Sequence, residues 1–400
     1  MRGSGGEAQT EAQTVQPVKA MIMAAGLGTR LWPLTDFIPK PMVPILNRPV
    51  MEHIVRLLAR HGVRQVAANL HYCPEAILEH FGDGAAFDLN ITFRYEEELL
   101  GTAGGVGNFR DLLGDDTFLV ISGDALTDAD VSALLARHRA TGGIATMAVK
   151  RVSDPSLYGV VVADESGRVT GFQEKPPRDE ALSNLCNCGI YAFEPRIFDY
   201  VPPQTFVDWA TDVFPRLLAS GEPFYLWELD SYWNDVGNID AYRQGNFDAL
   251  ADLVDVPKPG VELAPGVWIG DGCRVAPNVR IAPPVLIGDD CVIEEDVSLV
   301  GPLVVGDGCT IEAGAALEGV IHWNGSKTGR NATAAGGIVG RGVHIRSGAT
   351  VHEGAVIGEG CVVEAGAVVP PGARVAAQVV AGREVRGTEA EGDDGELARS

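Results

Sequence analysis

The chain has no run of eighteen consecutive apolar residues among its 400, so no segment has the length and hydrophobicity of a membrane-spanning helix. Positive charge is scarce as well. With 31 basic against 54 acidic residues the formal net charge is −23, which argues against any general affinity for nucleic acid or an anionic membrane. A phosphate ligand would have to be met by a few cations gathered locally, and Arg30, Lys40 and Lys175 are the candidates. Cysteine is limited to seven residues, in spacings unlike a zinc site. Cys273, Cys291 and Cys309 lie eighteen apart and are expected to stack as small inward residues on successive turns of a repeat. Cys186 and Cys188 are expected to face opposite sides of one strand and so not to share a metal. The first seventeen residues are polar and rich in Gly, Gln and Thr, unlike a secretory signal, and read as a disordered lead to a cytoplasmic protein. Residues 385–400 read as a frayed acidic tail.

What is present is concentrated in two places. The first is residues 22–40, where an apolar run, Val18 to Met23, gives way to a glycine loop closed by Arg30, with Lys40 following in a proline-rich segment. Gly26 and Gly28 let the backbone approach a ligand and adopt positive φ, so their amides can point at anionic oxygens. No Gly-Lys-Ser/Thr follows, and Leu31 stands where a dinucleotide fingerprint needs its third glycine, so neither common phosphate motif applies. The second is the C-terminal third, where positions 263, 269, 275, 281, 287, 293, 299, 305, 311 and 317 are all aliphatic. A second register runs through 339, 345, 351, 357, 363, 369 and 375. Strict spacing of six specifies a left-handed parallel β-helix, three short strands to a coil, with the aliphatic side chain filling a corner of a triangular prism. Between the registers, 318–338 is expected to form a degenerate coil in which Ile321, Lys327 and Thr333 keep the phase.

Before that repeat, apolar runs alternate with helical stretches as in an α/β, Rossmann-like domain with crossover helices. Helices are expected at Pro49 to His61, from about Pro74, at Asp130 to Arg139, Val207 to Leu218 and Asn238 to Val254. Strands are expected at Gln65 to Asn69, Thr117 to Ile121 and Ile144 to Lys150, with a hairpin from Tyr158 to Phe172. The strand ending at Ile121 delivers Asp124 to a carboxyl end of the sheet, where ligands of open α/β folds bind. The implied organisation is a lead (1–17), an α/β domain (18–236), a helical linker (237–260), the β-helix (261–377) and the tail.

The spacing GxGTRxxPxTxxxPK from Gly26 to Lys40, joined to hexapeptide repeats, resembles the NDP-sugar pyrophosphorylases, nucleotidyltransferases that make nucleoside-diphosphate sugars, over roughly residues 18–377. That resemblance implies the reaction NTP plus sugar 1-phosphate giving NDP-sugar and pyrophosphate, with Mg²⁺ as cofactor. It implies that Ala24, Ala25, Gly26, Gly28 and Thr29 hold the nucleotide and that Arg30 and Lys40 bind its triphosphate. Asp124, in Ser-Gly-Asp, and Asp235, in Tyr-Trp-Asn-Asp-Val-Gly, match the family's metal-binding aspartates. Lys175, in Glu-Lys-Pro, would contact the sugar phosphate, with Gly159, Glu174 and Asn187 around the hexose. Leu100 to Gly104 matches the nucleobase loop, so Gly101 and Thr102 would lie against the base. Five residues before Gly101, where a base-edge reader is expected, stands Glu96. A carboxylate only accepts hydrogen bonds, which suits the adjacent N1–H and N2–H of guanine better than uracil's single N3–H and points to GTP and mannose 1-phosphate. A glucose-1-phosphate uridylyl- or thymidylyltransferase is the alternative. A noncatalytic regulatory subunit and a bifunctional acyltransferase using His322, His344 or His352 are further readings. The flat faces and open end of a β-helix need cover, so a homo-oligomer is expected.

Overall fold

A computed structural model describes residues 18–376; the expected lead and tail lie outside the described residues. The first unit is built on a nine-stranded mixed sheet. In chain order its strands are β1 (Lys19–Met23), β2 (Gln65–Leu70), β3 (Asn90–Tyr95), β4 (Phe118–Ser122), β5 (Ala145–Arg151), β6 (Gly159–Ala163), β7 (Val169–Glu174), β8 (Leu185–Phe193) and β9 (Phe224–Glu228). Their order is β7-β6-β8-β4-β1-β2-β3, with β5 also paired to β8 and β9 to β5. β1 lies parallel between β2 and β4, whereas β8 runs antiparallel to its neighbours. The chain therefore reverses its winding direction at β1 and β4, and a crevice opens at their carboxyl ends. Helices α1 (Val50–Arg60), α2 (Pro74–Phe81) and α4 (Val131–Thr141) cover one face, and α3 (Gly101–Gly107) and α5 (Phe214–Ala219) the other. In α1 the buried residues Ile54, Leu57 and Leu58 recur at helical spacing, and Gly62 at φ 82° lets the chain turn away. The helix expected from Val207 begins instead with a π turn, Trp209–Val213, whose first amides are capped by Asp208, before α5.

Alternation puts residues two apart on the same side of a strand, so the opposite-side expectation for Cys186 and Cys188 was mistaken. Both are buried, and the Cys188 thiol donates to the Cys186 carbonyl at 3.7 Å. Among the described residues there is no cluster of three or more potential metal-ligating His, Cys, Asp or Glu side chains, and no helix long and apolar enough to cross a membrane.

One buried group on α1 makes stability pH-dependent. His53 is 3% exposed, its Nε2–H donates to the Ile45 carbonyl at 3.0 Å, and its Nδ1 is buried without a partner. Burial lowers its pKa to about 4, so between pH 6.5 and 4 the unfolded chain binds a proton that the folded one refuses. Stability conferred by neutral His53 is complete above pH 6.5 and is lost as pH falls towards 4. Denaturant titrations at pH 7 and 4.5 are expected to differ by about 2 kcal/mol less in His53→Gln than in the native chain.

The second unit is a parallel β-helix of three sheets, with Ile287, Ile293, Leu299, Val305, Ile311 and Leu317 buried inside it as the repeat requires. Leu263 does not belong to it. It lies on Val261–Ala264, antiparallel to Val267–Ile269, and is 70% exposed, so the coils begin one hexad later than the spacing suggests. The segment 318–338 is a coil, as expected, but its inward residues sit one position later. Val305 pairs with His322 and His322 with Val339, seventeen residues apart where other coils advance by eighteen. Each of two coils has lost one residue, at Gly319 and Gly336, both at positive φ. His322, Thr328 and Ala334 point inwards, and Ile321, Lys327 and Thr333 do not fill the prism. His322 is completely buried, bonded through Nδ1 to Ser326 and through Nε2 to Thr328 at 2.9 Å, and Ser326 donates to the Trp323 carbonyl at 2.7 Å. A fully paired polar layer replaces aliphatics there. Cys291 and Cys309 stack inside, as their spacing indicates, beside the half-buried Cys273.

The expected linker is a packed helix, α6 (Ile239–Leu250), capped by Asn238, which accepts from Ala241 N at 2.9 Å. Its Tyr242 is fully buried, donates to the Pro44 carbonyl (2.8 Å) and accepts from Trp323 Nε1 (2.8 Å). Leu31, Leu34 and Ile38 share this core with Leu286, Val304, Ile338 and Val356 from one outer face of the β-helix. The segment between Arg30 and Lys40 therefore rests on the second unit.

Candidate active site

Two cavities of about 260 Å³ each open at the carboxyl ends of β1 and β4. They share Met23, Lys40, Thr102, Ser122 and Asp124, so Lys40 and Asp124 stand where the two meet. Lys40, 8% exposed, donates from Nζ to Asp124 Oδ2 at 2.6 Å and to the Asp235 carbonyl at 3.0 Å. One ammonium thus ties together loops nearly two hundred residues apart in sequence. Asp235 is presented by a strained turn: Val236, β-branched, has φ 46° and its amide donates to Asn234 Oδ1 at 2.8 Å.

The first cavity also contains Arg30, Gly159, Glu174, Lys175, Asn187 and Asp235. Lys175 has φ 43°, an unfavourable conformation for a non-glycine residue, and its Nζ lies 3.7 Å from Glu174 Oε1. Burial raises the pKa of Glu174, with the neighbouring Lys175 opposing it. A Cβ on Gly159 would sit 2.5 Å from the Phe172 ring, so its smallness serves packing within the hairpin. Asn187 already donates to the Tyr191 hydroxyl (2.7 Å) and accepts from Gly189 N (3.0 Å), leaving one side-chain N–H for a ligand. Tyr158, Asp208 and Trp209 line it from outside any of the sequence motifs, and Trp233 lines it from within the motif that carries Asp235. Asp208 accepts from Thr102 Oγ1 at 2.7 Å. Tyr158 stacks edge-on against Trp233, and burial with the nearby Asp235 pushes its pKa up to about 12, so its hydroxyl is a donor at neutral pH. The order of aromatic and acidic residues around 208 gave no signal, because their spacing matches nothing periodic.

The second cavity is lined by Ala25, Gly26, Pro41, Asn69, Glu96, Leu99, Gly101 and Phe206 besides the shared residues. Ala24, Gly28 and Thr29 line neither cavity. Gly28 does take positive φ (70°), and a Cβ there would meet Lys40 Cβ at 2.7 Å; Gly26 does not, and the space beside it is open. Glu96 is buried and engaged: Asn69 Nδ2 donates to Oε1 (2.9 Å) and Leu100 N to Oε2 (3.1 Å), while Asn69 Oδ1 accepts from Ala24 N (2.9 Å). The carboxylate therefore fixes the glycine loop to the Leu100 loop, and only its remaining lone pairs are available to a base. The three histidines considered for acyl transfer do not converge: His322 is inside the prism, His344 begins a strand of another sheet and His352 is exposed at a turn.

These features match a known family. The sequence profile described as Nucleotidyl transferase matches residues 19–252. The chain belongs to the nucleotidyl transferase family. A Synechocystis UTP–glucose-1-phosphate uridylyltransferase is 43% identical over 267 residues, 63% of this nucleotidyl transferase and 69% of that protein. A Mycobacterium tuberculosis mannose-1-phosphate guanylyltransferase is 35% identical over 281 residues, covering 65% and 77%. A putative glucose-1-phosphate thymidylyltransferase from Bacillus anthracis superposes with a TM-score of 0.54 at 23% identity, over 60% of this nucleotidyl transferase and 96% of that chain, which shows a shared fold.

Proposed function

We propose that this nucleotidyl transferase moves a nucleotidyl group from an NTP to a hexose 1-phosphate, releasing pyrophosphate. The observation that carries the reading is the junction of two cavities at Lys40 and Asp124: one suits a nucleotide, the other a phosphorylated sugar, and their phosphates would meet there. An oxygen of the sugar phosphate attacks the α-phosphorus, the bond from that phosphorus to the bridging oxygen breaks, and pyrophosphate departs with the electron pair. The nucleophile is already ionised at neutral pH, so the protein needs no strong base and acts by positioning and charge neutralisation. Arg30 and Lys40 would bind the triphosphate, Lys175 the phosphate of the sugar, and Glu174 and Asn187 the sugar hydroxyls.

The first cavity sets three cations, Arg30, Lys40 and Lys175, against four carboxylates, Asp124, Glu174, Asp208 and Asp235. Side chains alone would not neutralise a triphosphate beside a sugar phosphate. A divalent ion fits this deficit, and two carboxylates with substrate oxygens are a usual shell for Mg²⁺. Asp124 and Asp235 would hold it, and it would supply charge neutralisation at the phosphates.

GTP with mannose 1-phosphate is the favoured pair, supported by an acceptor-only carboxylate, Glu96, in the nucleotide cavity. UTP with glucose 1-phosphate is the second reading, supported by the 43% identity to the uridylyltransferase and by the engagement of both Glu96 oxygens. An activity matrix of four NTPs against hexose 1-phosphates with Mg²⁺, read by pyrophosphate release, is expected to peak at GTP and mannose 1-phosphate. Consumption of UTP alone would select the second reading, and no turnover with any pair would overturn the assignment.

The protein is also expected to act in the cytoplasm, with its seven free cysteines reduced, and to be found there on cell fractionation. It is expected to form a homo-oligomer, since Leu263, Val261 and Val275 leave apolar surface at the open end of the β-helix. Light scattering at micromolar concentration should give a multiple of the chain mass, and a monomer would contradict this.

A further inference from the structure

Phe206 is unusual among the large apolar side chains: it is 65% exposed, yet it forms part of the wall of the nucleotide cavity. The residue after it is anchored through both of its backbone groups. Val207 N donates to the Leu100 carbonyl at 2.9 Å, and the Val207 carbonyl accepts from Ala103 N (2.9 Å) and Gly104 N (3.0 Å). Two glycines permit this approach, because a Cβ on Gly101 would lie 2.5 Å from Val207 O and one on Gly104 would lie 2.5 Å from Thr205 O. Val207 is buried in the core beneath the sheet, whereas Phe206 stays at the surface, lining the nucleotide cavity on one side and a shallow groove with Pro202 and Thr211 on the other. An aromatic ring next to an anchored residue and left largely uncovered beside a pocket offers a flat apolar surface.

We propose that Phe206 is a stacking platform for the nucleobase, holding it against the Leu99 to Thr102 side of the cavity and favouring the larger purine ring. The proposal rests on the reading of this cavity as the NTP site. Stacking on an aromatic ring tolerates every base, since each has a π face, and grows with the ring area covered. Phe206 is thus a source of affinity and of purine preference, separate from any hydrogen bonding by Glu96.

The test compares the native chain with Phe206→Ala and Phe206→Trp. Phe206→Ala is expected to raise the KM for GTP about tenfold, and that for UTP less, with the KM for the hexose 1-phosphate unchanged within twofold. Phe206→Trp should restore the native GTP value. Inhibition by inorganic tripolyphosphate, which has no base, should be the same in all three. An unchanged GTP KM in Phe206→Ala, or an equal weakening of tripolyphosphate, would overturn the platform while leaving the enzyme assignment intact. A native chain that neither turns over nor binds any NTP would instead remove the assignment on which the platform rests.

Discussion

Asp124→Asn should lower turnover about a thousandfold while leaving the fold in place. Asn keeps the size and shape of the side chain and removes its charge, so the change isolates electrostatics. Asp124 lies at the meeting point of both cavities and accepts from Lys40 Nζ at 2.6 Å. A carboxylate there orients the ammonium and, in the proposed function, would supply half of the protein's share of a Mg²⁺ shell. Losing one preorganised group that stabilises charge in a transition state costs typically 10²–10³ in rate, and weakening metal binding adds to it. The side chain is 30% exposed, so the variant should unfold within a few degrees of the native chain. Pyrophosphate release over a Mg²⁺ titration is the measurement. Turnover within tenfold of native at every Mg²⁺ concentration would remove Asp124 from the site.

Lys40→Met carries the second large effect. The lysine side chain is 10% exposed, and its Nζ bridges Asp124 Oδ2 and the Asp235 carbonyl, so methionine retains the packing and leaves Asp124 without its counter-charge. With substrate present, the same charge would face phosphate oxygens. A loss of about a hundredfold or more in kcat/KM is expected, with a melting temperature lower by several degrees. Because Lys40 and Asp124 act as one unit, the double variant Lys40→Met with Asp124→Asn should lose far less than the product of the single losses. Full additivity would mean that the two act on separate steps and that the short contact is incidental.

The parts of this molecule that were legible in the sequence are those whose cause is local. A buried aliphatic every six residues is a direct imprint of a three-sided coil, and Ile287 to Leu317 behave as that imprint requires. The same reasoning misplaced the inward residues around 318–338. Two single-residue deletions at Gly319 and Gly336 shift the phase, and with a polar filling, His322 and Thr328, no aliphatic marks the new one. Leu263 fits the spacing but belongs to a hairpin, because what decides is the strand it pairs with. The same holds for α6, whose sequence reads as a connector and whose Tyr242 is a fully buried anchor between the two units.

The site divides in the same way. Lys40, Asp124, Asp235, Lys175 and Asn187 were found from motifs, since charged groups at fixed offsets from strand ends leave a pattern in one dimension. Asp208, Tyr158 and Phe206 left none. Glu96 shows the limit most plainly: the sequence identifies an acceptor near the base loop, and only the fold reveals that both its oxygens are already bonded.

By itself, then, the order of residues determined that a glycine loop with two cations precedes a coiled repeat, because backbone conformation and side-chain period are properties of neighbours along the chain. Tertiary structure alone decided that Lys40 joins the loops of Asp124 and Asp235, that Glu96 is occupied and that Phe206 is bare. Each of these depends on which distant segments share a space, and hydrogen bonding and burial act through that space without regard to separation in sequence.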